Sequence, residues 1–254
     1  MIPLLGRARL WLATGLLLVS AHDARGQVRV AAASDLQAAL PGVIARFEKE
    51  TGISVRATFG SSGNFFAQIQ NGAPFDVFLS ADIDFPRRLQ AAGLGKDVTL
   101  YATGRLVLWT RHDSGIDVRA GLASLANPRI RRIAMANPQH APYGRAAAAA
   151  LRRQGIYDAV ASRLVLGENI AQTAQFVQSG NADVGFVALS LTSAPAMKAA
   201  GTFVEIPASL HPPIEQGAIV LAGARDAAAA RRFVQFLVSA ETRRYLADAG
   251  FDAP

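Results

Sequence analysis

Strand patterns and helix patterns alternate over most of this sequence, and this alternation restricts the fold more than any other feature. Residues 28–33 form an apolar, partly β-branched run that predicts a buried strand. After a two-residue turn, apolar residues recur at helical spacing over residues 36–50. The same succession starts again at residues 53–59 and at residues 75–81. Three consecutive strand–helix units predict a parallel sheet covered by helices.

A second series of the same kind follows. Its strand patterns lie at residues 101–110, 130–136, 162–166, 184–189, 204–207 and 217–221. Helix patterns lie at residues 145–154, 170–178, 226–239 and 241–249. Two series predict an α/β protein with two lobes, each a mostly parallel sheet flanked by helices, and a ligand cleft between the lobes. The predicted boundaries are residues 27–106 plus 217–254 for lobe 1 and residues 107–216 for lobe 2.

The first 26 residues have the pattern of a secretory signal peptide. Arg7 and Arg9 precede an apolar run over residues 10–19, and small or polar residues follow it. The run is shorter than the roughly 20 residues that span a bilayer. We therefore expect residues 1–26 to be removed and the mature protein to be periplasmic. The chain has no cysteine, which excludes thiolate catalysis, cysteine-ligated metals and a lipid anchor on an N-terminal cysteine.

Composition and charge narrow the function further. The 254 residues are 51% hydrophobic, which is enough for two modest domains with their own cores. The formal net charge is +7, but the basic residues are scattered in short pairs and form no concentrated stripe with aromatic residues, so no nucleic-acid partner is expected. The four histidines are isolated and show no i, i+4 pairing, so the sequence predicts no direct metal ligands.

Hydroxyl groups follow two of the predicted strands at the points where helices begin. Ser34 follows the first strand and is placed to cap the next helix, and Ser61 and Ser62 follow the second strand. In parallel sheets, ligands bind outside the carboxyl ends of the strands. Free N–H groups and the positive dipole end at a helix start favour a bound anion. These turns therefore predict an oxyanion site, and two ordinary serine caps are the alternative.

Five motifs, taken in order along the chain, carry a resemblance to a known family. They are AAASDL at residues 31–36, FGSSG at 59–63, GAPFDVFLSAD at 72–82, NPQHAPYG at 137–144 and SGNADVGFVALS at 179–190. Together they resemble the periplasmic molybdate-binding proteins of ABC-type molybdate importers. The resemblance extends over nearly the whole mature chain. It implies a two-lobed periplasmic binding protein of type II, in agreement with the pattern of strands and helices.

The resemblance also implies which residues bind the oxyanion. Ser34 and Ser62 match two serines that donate hydroxyl and backbone N–H bonds, and Ser61 is a weaker candidate. Tyr143 and Ile170 match positions that contribute backbone N–H groups.

Two further expectations concern side chains at this site. Asp35 is expected to present only its backbone N–H to the ligand, with its carboxylate turned outward, because a carboxylate would repel an anion. Some members of the family have a tyrosine at the position of Ala188, so that hydroxyl is missing here. The hypothesis is that the hydroxyl of Tyr143 replaces it.

The implied function is the capture of molybdate, and also of tungstate, for delivery to the membrane permease of an ABC importer. The resemblance implies a monomer that needs no cofactor and is not an enzyme. Molybdate and tungstate are tetrahedral dianions that only accept hydrogen bonds, so a site of neutral N–H and O–H donors suits them.

Three alternatives are open at this point. The first is a binding protein for another tetrahedral oxyanion, such as sulfate or thiosulfate. The second is a secreted serine hydrolase that uses Ser62, His140 and an aspartate, although the G-x-S-x-G pattern is incomplete. The third is a structural or adhesion module, against which the polar strand ends argue.

Overall fold

A computed structural model describes residues 27–254, so the predicted signal peptide at residues 1–26 lies outside the described residues. The strands are β1 Val28–Ala33, β2 Val55–Gly60, β3 Val77–Ser80, β4 Gly95–Gly104, β5 Leu106–Arg111, β6 Ile133–Ala136, β7 Leu164–Gly167, β8 Val184–Ala188, β9 Gly201–Glu205 and β10 Ile214–Leu221. They form two five-stranded sheets, with the orders β2-β1-β3-β10-β4 and β7-β6-β8-β5-β9.

Helices cover both sheets. They are α1 Leu40–Thr51, α2 Ser62–Gln70, α3 Asp84–Ala91, α4 Pro142–Arg153, α5 Tyr157–Ala161, α6 Ile170–Gln178, α7 Leu189–Thr192, α8 Pro195–Ala200, α9 Ala227–Leu237 and α10 Ala240–Asp248. The first three and the last two belong to the first sheet, and α4 to α8 belong to the second. We call each sheet with its helices a lobe. Within residues 27–254, no helix has both the length and the apolar character needed to cross a membrane.

The predicted α/β architecture with two lobes is confirmed, but each sheet is mixed rather than mostly parallel. In the first sheet β1 pairs in parallel with β2 and β3, whereas β10 pairs antiparallel with β3 and β4. In the second sheet β6 pairs in parallel with β7 and β8, whereas β5 pairs antiparallel with β8 and β9. The difference arises because β5 and β10 each enter their sheet from the other lobe and not through a βαβ crossover.

The chain passes from one sheet to the other at two places in its described part. The single strand predicted at residues 101–110 is in fact the end of β4 and the start of β5, separated by Arg105. The return passage lies between β9 and β10. Near the C-terminus, Asp252 forms a bridge with Thr103, so the end of the chain lies on the first lobe. The lobe boundaries at residues 106 and 217 stay a prediction.

The first α-helix begins later than its sequence pattern indicated. Ser34–Leu36 forms a short 3₁₀ turn, and α1 starts only at Leu40, where Pro41 suits a first helical turn. Gly52 ends α1 in the left-handed conformation, with a φ of 67°. The expectation that Ser34 caps this helix is wrong, because its side chain makes no capping bond and contacts the other lobe instead.

Each lobe has an apolar core of its own. In the first lobe Phe47 of α1 packs edge-on against Phe233 and Phe236 of α9, with ring centroids 5.1 and 5.5 Å apart. In the second lobe Trp109 of β5 is fully buried between the sheet and its helices. Two cores allow each lobe to hold its shape as a unit, so the site between them is shaped by how the lobes meet.

A buried ion pair joins three segments of the first lobe. Asp76 accepts hydrogen bonds from the Arg29 side chain, at 3.0 Å from Nε and 2.9 Å from Nη2. It also accepts from the backbone N–H groups of Arg29 at 2.7 Å and Arg225 at 2.9 Å. Burial raises the pKa of Asp76, but the hydrogen bonds from Arg29 and Arg225 outweigh it and leave this pKa below its usual range.

We expect Asp76→Asn to lower the free energy of unfolding by about 3 kcal/mol at pH 7, because it leaves the Arg29 charge without its partner. A lowered pKa means that Asp76 stabilises the fold above about pH 4 and ceases to do so as the pH falls through its folded pKa. Urea denaturation at pH 7 and at low pH should therefore show a difference between wild type and variant that shrinks in acid. The exposed Asp158→Asn is the control and should change stability by less than about 0.5 kcal/mol at either pH.

Candidate functional site

A small cavity lies where the two lobes meet, at the carboxyl ends of β1, β2 and β6. Its lining consists of Ala33, Ser34, Asp35, Gly60, Ser61, Ser62, Ala81, Ala141, Pro142, Tyr143, Asn169 and Ile170. The fold thus brings together all six residues that the sequence singled out.

Four chain segments begin at this cavity, two from each lobe. The first lobe contributes the 3₁₀ turn at Ser34–Leu36 and the start of α2, and the second lobe contributes the starts of α4 and α6. The first N–H groups of a helix have no partner within the helix, and its dipole is positive at that end. None of the described residues in the lining is Lys, Arg or His. The cavity is therefore suited to an anion held by neutral donors.

The hydroxyls of Ser34 and Ser62 both act as acceptors from backbone N–H groups. Ser62 Oγ accepts from Ala81 N at 2.9 Å, and Ser34 Oγ accepts from Ala171 N of the other lobe at 3.4 Å. A hydroxyl that accepts from an N–H still has its own hydrogen to donate. Both side chains are buried at the cavity, so each can direct an O–H bond to a ligand there.

Ser61 differs from Ser34 and Ser62 because its hydroxyl proton is already used in a hydrogen bond within the protein. Its Oγ donates to the carbonyl oxygen of His140 at 2.6 Å, and the N–H of Gly63 donates to the same oxygen at 2.9 Å. These two bonds join the start of α2 to the loop after β6 and so connect the lobes. The structure therefore places Ser61 as a contact between the lobes rather than as a free donor.

The sequence predicted that the carboxylate of Asp35 turns outward. In the structure it is fully buried between the lobes. Its Oδ2 accepts from the hydroxyl of Tyr143 at 3.0 Å and from Nε2 of Gln216 at 2.9 Å. Gln216 Oε1 in turn accepts from the hydroxyl of Tyr101 at 3.1 Å. We call these four residues the Asp35 cluster. The expectation was wrong because tertiary contacts supplied donors that draw the carboxylate inward.

The hypothesis about the Tyr143 hydroxyl is also corrected by this cluster. The hydroxyl gives its only proton to Asp35, so it does not replace the hydroxyl missing at Ala188. The backbone N–H of Tyr143 lies in the first turn of α4 and stays a candidate donor to a ligand. Gly104 of the first lobe leaves the space for this arrangement, since a Cβ there would lie 2.2 Å from the hydroxyl oxygen.

Electrostatics make Asp35 unusual among the residues of the site. Burial raises the pKa of Asp35 to about 6, although hydrogen bonds from Tyr143, Gln216 and nearby backbone N–H groups favour the charged form. Burial and the neighbouring Asp35 raise the pKa values of Tyr143 and Tyr101 well above their usual range, so both tyrosines stay protonated donors. Among residues 27–254, Asp35 Oδ1 is a buried oxygen for which no hydrogen-bond partner is found.

Sequence reasoning missed Gln216 and Ser190. Gln216 is a fully buried amide in strand β10, directly before the apolar run at residues 217–221, and a polar side chain in a buried strand was the available signal. Ser190 lies at the start of α7 and donates to the backbone carbonyl of Asp35 at 2.8 Å. Nothing in the local sequence distinguishes Ser190 from an ordinary serine at a helix start.

An ion pair joins the lobes outside the cavity. Arg145 of α4 pairs with Asp82, which follows β3 on the first lobe. The guanidinium of Arg145 also lies 5.4 Å from the ring centroid of Phe85, another residue of the first lobe. Both charged side chains are partly exposed, so water screens the pair and its contribution to holding the lobes together is modest.

Two lobes that meet around a small polar cavity define the class of solute-binding proteins. The chain belongs to the family described as bacterial extracellular solute-binding protein, whose sequence profile matches residues 28–252.

Relatives within this family are named molybdate-binding protein ModA. The relative from Azotobacter vinelandii is 40% identical over 236 residues, which cover 92% of this chain and 92% of the relative. The one from Rhodobacter capsulatus is 35% identical over 249 residues and covers 97% and 95% of the two chains. The resemblance to molybdate-binding proteins is therefore confirmed.

Solved structures agree with the fold. The periplasmic molybdate-binding protein of Azotobacter vinelandii superposes with a TM-score of 0.84 at 34% identity, covering 89% of this chain and 99% of that one. The sulfate-binding protein SubI from Mycobacterium tuberculosis has a TM-score of 0.71 at 18% identity, covering 89% and 86%, and shares the fold alone. The predicted two-lobed binding-protein fold is confirmed.

The relatives also decide between a binding protein and the other classes. They are solute-binding proteins, so the prediction that this chain is not an enzyme is confirmed, and the adhesion module is excluded. The serine hydrolase alternative is wrong on geometry as well. It is Ser61, not Ser62, that contacts the His140 ring, at 3.1 Å from Nδ1, and its proton goes to the His140 carbonyl.

We expect Gln216→Leu to lower the free energy of unfolding by about 2–4 kcal/mol, because it leaves the buried hydroxyl of Tyr101 without its acceptor and removes one of the two donors to the carboxyl of Asp35. Urea denaturation measures the change. Gln235→Leu, which alters an exposed glutamine of α9, is the matched control and should stay within about 0.5 kcal/mol of wild type. Equal stabilities for the two variants would contradict the hydrogen-bonding role of Gln216.

Proposed function

We propose that this protein captures molybdate in the cavity between its lobes and delivers it to the membrane permease of an ABC importer. The observation that carries the proposal is the meeting of four segment starts, two from each lobe, around one cavity lined by serine hydroxyls. The relatives named as molybdate-binding proteins support this choice of anion. A solved structure described as the substrate-binding domain of a putative molybdenum ABC transporter from Clostridium difficile supports the transport role.

The proposed donors are the hydroxyls of Ser34 and Ser62 and the backbone N–H groups of Asp35, Tyr143 and Ile170. All of these groups are neutral, and all of these residues line the cavity. A hydrogen bond to an ionised group contributes about 1.5–3 kcal/mol, so several of them offset the cost of taking a dianion out of water. A dianion without protons can accept from every donor at once, which suits a cavity built from donors.

Lobe closure is part of the proposed mechanism. Donors from the two lobes face one cavity, so the anion gains all of its hydrogen bonds only when the lobes are in contact. An anion that binds the closed arrangement better than the open one shifts the equilibrium toward closure. We propose that the closed, loaded protein then docks on the permease.

Several finer features belong to the same proposal. Tungstate has the shape and charge of molybdate and should bind in the same cavity. The protein acts in the periplasm as a monomer without a cofactor, after export directed by residues 1–26. Sulfate and thiosulfate are the competing oxyanions, and their fit in the cavity decides whether they are excluded.

The Ser34→Ala and Ser62→Ala double variant should bind molybdate at least about a hundredfold more weakly than wild type, since it loses two O–H bonds to a dianion. Isothermal titration calorimetry with molybdate, tungstate and sulfate measures the affinities and the one-to-one stoichiometry. Ser124→Ala removes a hydroxyl of the second lobe that bonds Gly121 and serves as the control with wild-type affinity. Unchanged affinity in the double variant would mean that the anion binds elsewhere. Binding heat with sulfate alone would mean that sulfate, and not molybdate, is the ligand.

Gly63→Ala tests the need for closure. A Cβ on Gly63 would lie 2.6 Å from the carbonyl oxygen of His140 and 2.8 Å from its Cα, so the lobes can no longer meet at this point. We expect at least about a tenfold loss of molybdate affinity, seen mainly as faster dissociation in stopped-flow fluorescence. Gly223→Ala is the control, because a Cβ at that position meets no atom within 4 Å. Wild-type dissociation from the Gly63 variant would show that these lobe contacts are dispensable.

A further inference from the structure

The carboxyl group of Asp35 accepts hydrogen bonds from both lobes. It is carried by the 3₁₀ turn of the first lobe, and Gln216 of the same lobe donates to it. From the second lobe, Tyr143 donates to its Oδ2 and Ser190 donates to its backbone carbonyl. These second-lobe contacts require the lobes to be together, so Asp35 is enclosed by closure itself.

Within residues 27–254, no positive charge compensates Asp35 in this position. The titratable side chains that face it are Tyr143 of α4 and Tyr101 of β4, and both tyrosines are neutral donors. Helices α6 and α7, which pack on its turn, have no titratable side chains. Arg56 of the neighbouring β2 is exposed, and Arg145 of α4 pairs with Asp82. Glu215 adjoins Gln216 in β10, so its side chain points to the other face of that strand.

Asp35 also lines the cavity in which the oxyanion is proposed to bind. An ionised carboxylate next to a dianion, both removed from water, would repel it strongly. The structure provides no cation to offset this repulsion within the described lining of the cavity. A neutral carboxylic acid removes the repulsion and still accepts the two hydrogen bonds at Oδ2.

We propose that Asp35 takes up one proton from solvent each time the lobes close on the oxyanion, and that the neutral acid holds the two lobes together through Tyr143. This inference rests on the proposed function, since it names the partner of oxyanion binding at the same site. The proton goes to Oδ1, which has no hydrogen-bond partner among the described residues, and leaves Oδ2 to its two donors. Opening returns Asp35 to water, so the same proton is released together with the anion. The raised pKa of Asp35 in the closed protein agrees with this direction.

Calorimetry of molybdate binding in two buffers of different ionisation enthalpy counts the protons taken up. PIPES and Tris are suitable, because phosphate would itself compete as an oxyanion. For wild type we expect uptake of up to about one proton per molybdate at pH 7.5. Between pH 6.5 and 8.5, where molybdate carries no proton, the affinity should fall by up to about tenfold per pH unit.

Asp35→Asn keeps the shape of the side chain and its acceptor oxygen but has no proton to gain. This variant should bind molybdate with no proton uptake, and its affinity should change by less than about threefold over the same pH range. Asp82→Asn is the matched control, because Asp82 is also a carboxylate that contacts the other lobe, through Arg145. It should bind more weakly than wild type with the same proton count as wild type.

The outcomes separate this inference from the proposed function. Molybdate binding by wild type without proton uptake would overturn the role of Asp35 and leave the proposed function intact. Equal pH dependence in wild type and Asp35→Asn would do the same. No molybdate binding by wild type at any pH would overturn the proposed function itself. Should Asp35→Asn fail to fold, the proton counts of wild type and Asp82→Asn still test the inference. A count of about one proton in both supports proton uptake, and a count of zero overturns it.

Discussion

The rest of this structure depends on the contact of one short turn, Ser34–Leu36, with the opposite lobe. The turn ends the central parallel strand of the first sheet and places Ser34 and Asp35 against the starts of α4, α6 and α7. Around it the two lobes meet through hydrogen bonds of Ser34 and Asp35, with only small apolar side chains such as Ala33 and Ala81 packed beside them. Such a surface can be made and broken repeatedly, because water replaces each lost hydrogen bond when the lobes separate.

The lining of this cavity offers neutral hydrogen-bond donors to an anion instead of cationic side chains. A cationic site would attract any anion and would release it slowly, whereas N–H and O–H groups stabilise a dianion only where their geometry fits. Ser34 and Ser62 each accept from a backbone N–H, so their own hydroxyl protons stay available for a further acceptor in the cavity. Asp35 is the exception in this neutral lining, and its carboxyl is tolerated because tyrosine and glutamine donors surround it.

Local sequence patterns were enough for the parts of the fold that depend on local forces. Strand and helix periodicity predicted both lobes, and Gly52 marked the end of α1, because apolar spacing and left-handed glycines act within a few residues. The candidate donors at Ser34 and Ser62 were also predictable, since serines at the ends of strands are visible in the sequence. The antiparallel pairing of β5 and β10 was not, because it depends on which lobe each strand comes from.

The sequence by itself determined that two α/β lobes form and that polar turns end their strands, because these properties follow from spacing and residue type. Only the tertiary structure decided how the side chains at those turns are used. Ser61 gave its proton to His140, Tyr143 gave its proton to Asp35, and Asp35 turned inward to meet Gln216, which lies 181 residues away in the chain. A hydroxyl has one proton, and its recipient is whichever acceptor the packing of distant segments brings within reach.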